Sequence, residues 1–233
     1  MRPVERGDIP IDPNTGIPIV FTQYSQAKSH LIDRVGEYCS YCERSINHLL
    51  HVEHIQPKAA RPDLERRWDN FLLSCVNCNA AKGHEELILS DYYWSDRDNT
   101  ARAFEYLENG NVCVNPSLNE SEQKQAQRTL ELIGLDRFPG HPKFSPRDNR
   151  WSQRLDTWGI AKRKLKQLQE NDTPDKRDDI VELAQAKGFW SLWMTVFRED
   201  TDMLKRFINA FPGTCQTCFN DQFQPIPRPG GAL

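Results

Sequence analysis

The sequence predicts an α+β protein, a small metal-stabilised β-β-α unit followed by a helical C-terminal part. Three observations carry this reading. Two Cys-x-x-Cys pairs, Cys39/Cys42 and Cys75/Cys78, stand as C-x2-C-x32-C-x2-C, a spacing that brings four thiolates to one point and suits tetrahedral zinc. Two short runs of branched and aromatic apolar residues lie between the pairs, with a helical turn after the second. From about residue 118 onward the apolar positions fall at helical rather than strand spacing.

Composition narrows the class. With 38% apolar, 10% aromatic and 27% charged residues among 233, the chain resembles an ordinary folded protein with one good core or two small ones, and neither a disordered nor a membrane-embedded one. No apolar run is long enough to span a bilayer, and the opening MRPVERGDIPIDP has no apolar segment of the secretory kind. A cytoplasmic protein with no membrane association is expected. Seven cysteines, an odd number, favour reduced thiols with some acting as metal ligands; a disulfide framework is the alternative. A net charge of -3 provides no global basic field, so contact with nucleic acid must be local. Three clusters qualify: Lys58, Arg61, Arg66 and Arg67; Arg147, Arg150 and Arg154; and Lys162, Arg163, Lys164 and Lys166. For any single cluster a solvated face is the favoured reading.

Residues 1–23 hold Pro3, Pro10, Pro13 and Pro18 and predict an extended arm. Residues 24–117 are expected to form the metal-stabilised unit. It opens with an amphipathic helix from Ser25 to Tyr38, capped by Ser25, in which Ala27, Leu31 and Val35 recur at four-residue steps. Leu49 to Ile55 reads as a strand with His54 at its end. Pro57 and Pro62 break the following loop, and Trp68 to Leu73 starts a second strand. Cys75, Cys78 and Asn79 to Lys82 form a turn entering a helix that stops near Gly83. Ala103–Leu107 and Val112–Val114 flank Asn109-Gly110 as a hairpin expected to extend the small sheet.

Residues 118–212 predict a helical bundle. Its helices are marked by Ser121–Leu132 before Gly134, by a stripe of Trp151, Leu155, Trp158, Leu165 and Leu168, by Ile180, Leu183 and Ala184, by apolar Phe189–Phe197, and by Met203–Phe211 before Pro212-Gly213. The Phe189–Phe197 segment is expected in the core, with a partner groove as the alternative. Residues 213–233 form a Pro-rich tail with a third pair, Cys215 and Cys218, half of a zinc site without a second half. These read as free thiols or as ligands to a zinc shared with a partner, and Cys113 as a buried strand residue.

A zinc held by four thiolates is structural, because it has no open position for water. Catalytic chemistry would have to come from what it holds in place. Glu53 and His54 are adjacent and point to opposite faces of a regular strand, so a bend at the strand end is needed to bring both to one cleft. Asn79 follows Cys78 directly and offers an amide oxygen; a carboxylate plus an amide leaves room on Mg2+ for waters and phosphate oxygens. His48, His51, His84 and His141 read as surface or packing residues, although His51 could face the same cleft.

The run Cys-x-x-Cys, Glu53-His54-Ile-x-Pro, Asn70-Phe-Leu-Leu-Ser-Cys-x-x-Cys-Asn79-x-x-Lys82-Gly resembles the HNH endonucleases, with their ββα-metal or His-Me finger fold. The resemblance implies that His54 is the general base, that Glu53 and Asn79 bind a catalytic Mg2+ or another divalent ion, and that Asn70 braces the loop carrying His54. It further implies that Lys82 touches phosphate, that Lys58, Arg61, Arg66 and Arg67 contact the nucleic-acid backbone, and that cleavage leaves 5'-phosphate and 3'-hydroxyl ends. Over its full length the chain is similar to the PtuB-like HNH proteins of Septu and retron antiphage systems. That similarity implies a nucleic-acid substrate, DNA or a structured RNA such as tRNA, and an ABC-type ATPase partner of the PtuA kind docked on the helical part. A retron reverse transcriptase with its DNA is a further implied partner. The alternative is a noncatalytic zinc-binding adaptor for nucleic acid or protein, which explains the cysteines but leaves Glu53, His54 and Asn70 unexplained.

Overall fold

The computed structural model describes residues 1–46 and 49–233, and His48 lies outside them. Helix α1 (Ala27–Val35) buries Ala27, Leu31 and Val35. It starts later than the apolar spacing suggests, because Tyr24–Gln26 forms a 3-10 turn and the cap is not Ser25. The Gln26 side-chain oxygen accepts instead from the backbone N–H groups of Thr22 and Gln23. Gly36, at φ 76°, closes the helix.

Strands β1 (Leu50–His54) and β2 (Phe71–Cys75) pair antiparallel with His54 opposite Phe71 and Leu50 opposite Cys75. Every residue of β2 is buried. The strand begins later than the apolar run from Trp68, since Trp68–Asn70 is a 3-10 turn anchored by the Trp68 indole N–H donating to the Gly7 carbonyl at 2.9 Å. Helix α2 (Val76–Lys82) starts between the two cysteines of the second pair, and the Cys75 sulfur accepts from the Cys78 N–H at its first turn. The knuckle is thus the helix cap as well as a ligand turn. These three elements make the ββα unit.

The hairpin of β3 (Phe104–Tyr106) and β4 (Val112–Val114) is a separate two-stranded sheet, contrary to the expectation that it extends the first. Its strands pack instead against α3 (Glu120–Ile133) and α6 (Trp190–Val196). Asn119 and Glu122 form a capping box at the start of α3, a device that contributes about 1 kcal/mol, and Gly134 ends the helix in a left-handed conformation.

Helix α4 (Arg150–Glu170) departs most from the sequence reading. Its buried residues are Arg150, Arg154, Thr157, Ala161 and Leu168, whereas Trp151, Leu155 and Trp158 of the expected stripe are half-buried. Two of the three arginines taken as a basic surface cluster are therefore interior. Helices α5 (Pro174–Lys187) and α7 (Thr201–Ala210) pack on each other and on α6, which buries Trp190 and Trp193. The Phe189–Phe197 segment is core, as expected.

Both ends of the chain are strapped down. Val4 bridges to Thr214, the Cys215 N–H donates to the Pro3 carbonyl at 3.0 Å, and the Asn99 amide donates to the Cys218 and Ile226 carbonyls. Buried apolar side chains form one connected cluster running from Met1 to Leu233. Among the described residues, no helix is long and apolar enough to cross a membrane.

The helical part meets the first cysteine pair through Gly188 and Glu43. Arg44 bridges to Gly188, and the Glu43 carboxylate accepts from the Ser191 N–H and hydroxyl at 3.1 and 2.6 Å. Gly188 has φ 72°, and a Cβ there would lie 2.4 Å from the Glu43 carbonyl and the Ser45 nitrogen. A left-handed L-residue costs about 1–2 kcal/mol before any clash. Gly188→Ala is expected to lose more than about 2 kcal/mol, lowering the melting temperature by more than about 4 °C. Gly16→Ala, equally left-handed with nothing within 4 Å, should cost only about 1 kcal/mol. Thermal denaturation of the two variants side by side checks this.

Candidate metal centre and adjoining cleft

Cys39, Cys42, Cys75 and Cys78 are all buried, and their sulfurs lie within 4.8 Å of one another. The Cys42 and Cys75 sulfurs are 3.7 Å apart, against about 3.8 Å for the edge of a tetrahedron with 2.3 Å metal–sulfur bonds. None of the four is in a disulfide. The four thiols are placed to bind a metal ion, and the all-sulfur donor set is consistent with structural zinc. Burial pushes the Cys39 and Cys42 thiols well above the ordinary range, while hydrogen bonds from the neighbouring thiols hold Cys75 below it.

Two arginines bring positive charge to the sulfurs. The Arg150 guanidinium, 2% exposed, donates to the Cys78 sulfur at 3.1 Å and to the Ile133 carbonyl at 2.8 Å, with Asp148 on its other edge. Burial works against its charge, and the Cys78 sulfur with Asp148 outweighs it, raising its pKa. Arg44 is likewise raised, burial being outweighed by Cys42 and Cys75, and it donates to Asn77 and Asn149. The cue for Arg150 and Arg154 was their four-residue spacing in register with the small residues Thr157 and Ala161. Cys215 and Cys218 are buried but belong to no such cluster among the described residues; the Cys215 thiol donates to Glu5 at 3.1 Å.

Beside this centre lies an open cleft of about 530 Å³, bounded by β1, the loop after it, the Tyr24–Gln26 turn and the end of α2. Glu53, His54, Asn79, Lys82 and Lys58 all line it, as do His51 and His84. The chain bends directly after His54, which allows neighbours on opposite faces of β1 to reach one cavity. Arg61, Arg66 and Arg67 do not line the cleft. Arg61 and Arg67 are clamped on Asp63 and Asp69, each two residues along, and Arg66 is exposed.

His54 is fixed by its surroundings. Its Nε2 lies 2.9 Å from the Glu65 carbonyl oxygen; a carbonyl only accepts, so Nε2 carries the proton and Nδ1 keeps its lone pair. Tyr24 and Phe71 meet the ring edge-to-face at 4.9 and 5.3 Å. Burial lowers the imidazole pKa, the Glu65 carbonyl opposes that, and the charges of Lys58 and Lys82 add to the lowering. Asn70 is buried outside the cleft. Its side-chain oxygen accepts from the Gln56 N–H at 2.7 Å, and its amide donates to the Gln56 and Leu64 carbonyls at 2.9 and 3.3 Å. That clamps the turn immediately following His54.

Glu53 is 3% exposed. Burial raises its carboxyl pKa, against the charge of Lys82. The Lys82 ammonium stands 2.9 Å from Glu53 Oε1 and donates to the His54 carbonyl at 2.8 Å. The residue expected on phosphate is turned inward. Sequence reasoning missed Tyr24 and Lys28, which also line the cleft; Tyr24 carries the Lys58 ammonium 4.2 Å above its ring. The oxygen donors of Glu53 and Asn79 are hard and suit Mg2+, and Glu53 is the one acidic side chain among the lining residues.

Residues 39–85 match the HNH endonuclease family. A stretch of 59 residues, 24% of this chain, is 37% identical to Septu protein PtuB of Bacillus thuringiensis and covers 23% of that protein. The chain therefore spans about a quarter of the length of the curated relative it matches. The ββα unit with its four-cysteine cluster is an HNH-type domain within a mixed α/β chain whose C-terminal part is helical.

Metal analysis of the purified protein should find about one zinc per chain, and a strong chelator should lower its melting temperature, because structural zinc binding is folding free energy. Loss of zinc with no change in melting would contradict that role. In the metal-free cleft, NMR titration of His54 should give a midpoint below the ordinary imidazole value of about 6.5. The sign follows from the neutral form being favoured: His54 gains its proton only as the pH falls past that lowered value.

Proposed function

We propose that the HNH-type domain makes this chain a metal-dependent nuclease that hydrolyses phosphodiester bonds, as the effector of an antiphage complex of the Septu kind. The observation that carries the reading is one cleft lined by a tautomer-fixed His54, a buried carboxylate, an amide oxygen and three lysines. A noncatalytic zinc adaptor needs none of that arrangement.

In this reading Nδ1 of His54 takes the proton from an attacking water. The Glu65 carbonyl stabilises the imidazolium that results, since Nε2–H already donates to it. Asn70 acts as a positioning residue, fixing the backbone of Gln56 two residues beyond His54. Glu53 and Asn79 would hold Mg2+, which when bound neutralises charge on the phosphate and the leaving oxygen. Lys28 and Lys58 line the same cleft and would bind phosphates next to the scissile one, contributing position and little sequence information. Arg66 and the ion-paired Arg61 and Arg67 lie outside it and would meet the backbone farther along.

DNA is the favoured substrate, with a structured RNA such as tRNA as the other, since one base and one hard cation suit either backbone. The curated relative carries the Septu name, which supports an ABC-type ATPase partner of the PtuA kind; the helical part would dock it. A retron reverse transcriptase with its DNA is a further partner in this reading, and the cytoplasm is its site of action.

Purified protein should cleave DNA weakly in Mg2+ and lose that activity in EDTA; robust, unregulated cleavage would count against restraint by a partner. His54→Ala is expected to reduce cleavage by about 10²–10⁴-fold while retaining zinc and melting temperature. Glu53→Gln should reduce it in a way that added Mg2+ does not restore. Undiminished cleavage, or undiminished toxicity in cells, by the His54→Ala variant would refute the catalytic assignment.

A further inference from the structure

We infer that Lys82 occupies the place of the divalent cation in the resting cleft, so that the cation and a phosphodiester bind this protein as a coupled pair. The inference rests on the nuclease reading of the cleft and goes beyond it to how the site is loaded. The Lys82 ammonium and the Glu53 carboxylate are 1% and 3% exposed, so their contact at 2.9 Å is a desolvated one. Glu53 Oε1 receives no well-directed hydrogen bond despite its burial. Its partner is a point charge, which is how a carboxylate meets a metal ion. The ammonium also donates to the His54 carbonyl at 2.8 Å. It thus sits between the strand that carries the proposed base and the helix that carries Asn79.

The charge of the whole cleft points the same way. Its lining holds Lys28, Lys58 and Lys82 against Glu53; Glu65, outside the lining, stands 3.5 Å from the Lys58 ammonium, and the balance is still positive. A divalent ion entering that field would meet repulsion and would also have to displace Lys82 from its only acidic neighbour in the cleft. A phosphodiester entering first, or together with the ion, reverses the balance. It supplies negative oxygens for Lys28 and Lys58, and a new partner for Lys82, whose flexible four-carbon stem leaves the last turn of α2 just before Gly83. Lys82 on phosphate and Lys82 on Glu53 are then two positions of one side chain, and the substrate selects between them.

Mn2+ serves as the probe, followed by electron paramagnetic resonance on the zinc-loaded full chain carrying His54→Ala to prevent cleavage. Expected is weak Mn2+ binding alone and about tenfold tighter binding with a short DNA duplex present, with Mn2+ tightening DNA binding by the same factor. Adding Lys82→Met should tighten Mn2+ binding without DNA by about tenfold and shrink the gain from DNA. The reciprocal linkage needs no variant at Lys82, so a Lys82→Met chain that misfolds leaves the test intact. Mn2+ bound equally well with and without DNA, or equally well by a folded Lys82→Met chain, overturns this inference and leaves the nuclease reading standing. No Mn2+ binding under any condition, or binding that survives Glu53→Gln, overturns both.

Discussion

Four sulfurs gathered within 4.8 Å in a buried pocket hold negative charge only where positive charge meets it. A divalent metal bound there would offset part of that charge, and Arg150 and Arg44 face the remainder. Arg150 is the first residue of α4, while Cys78 lies in α2. The electrostatic need of the metal centre therefore fixes where the helical part can sit. The same guanidinium donates to the last carbonyl of α3, that of Ile133, so three helices converge on one cation. On the opposite side, Glu43, between Cys42 and Arg44, receives the start of α6 through Ser191. Separating the helical part from the ββα unit would strand buried charge on both sides of the cysteines, which costs more than the lost apolar contacts alone.

The cleft inherits rigidity from that frame. Its strands are anchored at the far end by Cys75, and at the near end by the Asn70 clamp and the Trp68–Asn70 turn. The N-terminal arm reinforces the same turn. Arg6 donates to the Phe71 and Asp69 carbonyls at 2.5 and 3.2 Å and pairs with the buried Asp96 at 3.0 Å. An imidazole held by one carbonyl and two aromatic edges, as His54 is, keeps one orientation in the cleft.

The ββα order was legible because cysteine spacing and alternating apolar runs are local signals. Hence β1, β2 and α2 fall within a few residues of where periodicity places them, and Glu53, His54 and Asn79 share a cleft once the bend after His54 is known. What escaped the sequence was set by distant partners. Trp68 reads as strand but turns because its indole reaches Gly7. Arg150 and Arg154 read as surface because the sulfur and carbonyls that meet them lie on distant elements. The hairpin reads as an extension of the first sheet, yet α3 and α6 cover it instead. Tyr24 carried no signal in the sequence, and only the fold brings it to His54.

A cleft with one carboxylate and three lysines is poorly suited to concentrating a free metal ion and well suited to receiving a polyanion. That ordering has a consequence for control. If the cation site is complete only when phosphate is present, the cleft of the isolated protein is one that free Mg2+ alone would not fill. Filling the site would then depend on access of a polyanion to the part of the cleft lined by Tyr24, Lys28 and Lys58. A partner docked on the helical part need not touch His54 to restrain it. Covering that part of the cleft, or shifting the Tyr24–Gln26 turn that borders it, would be enough.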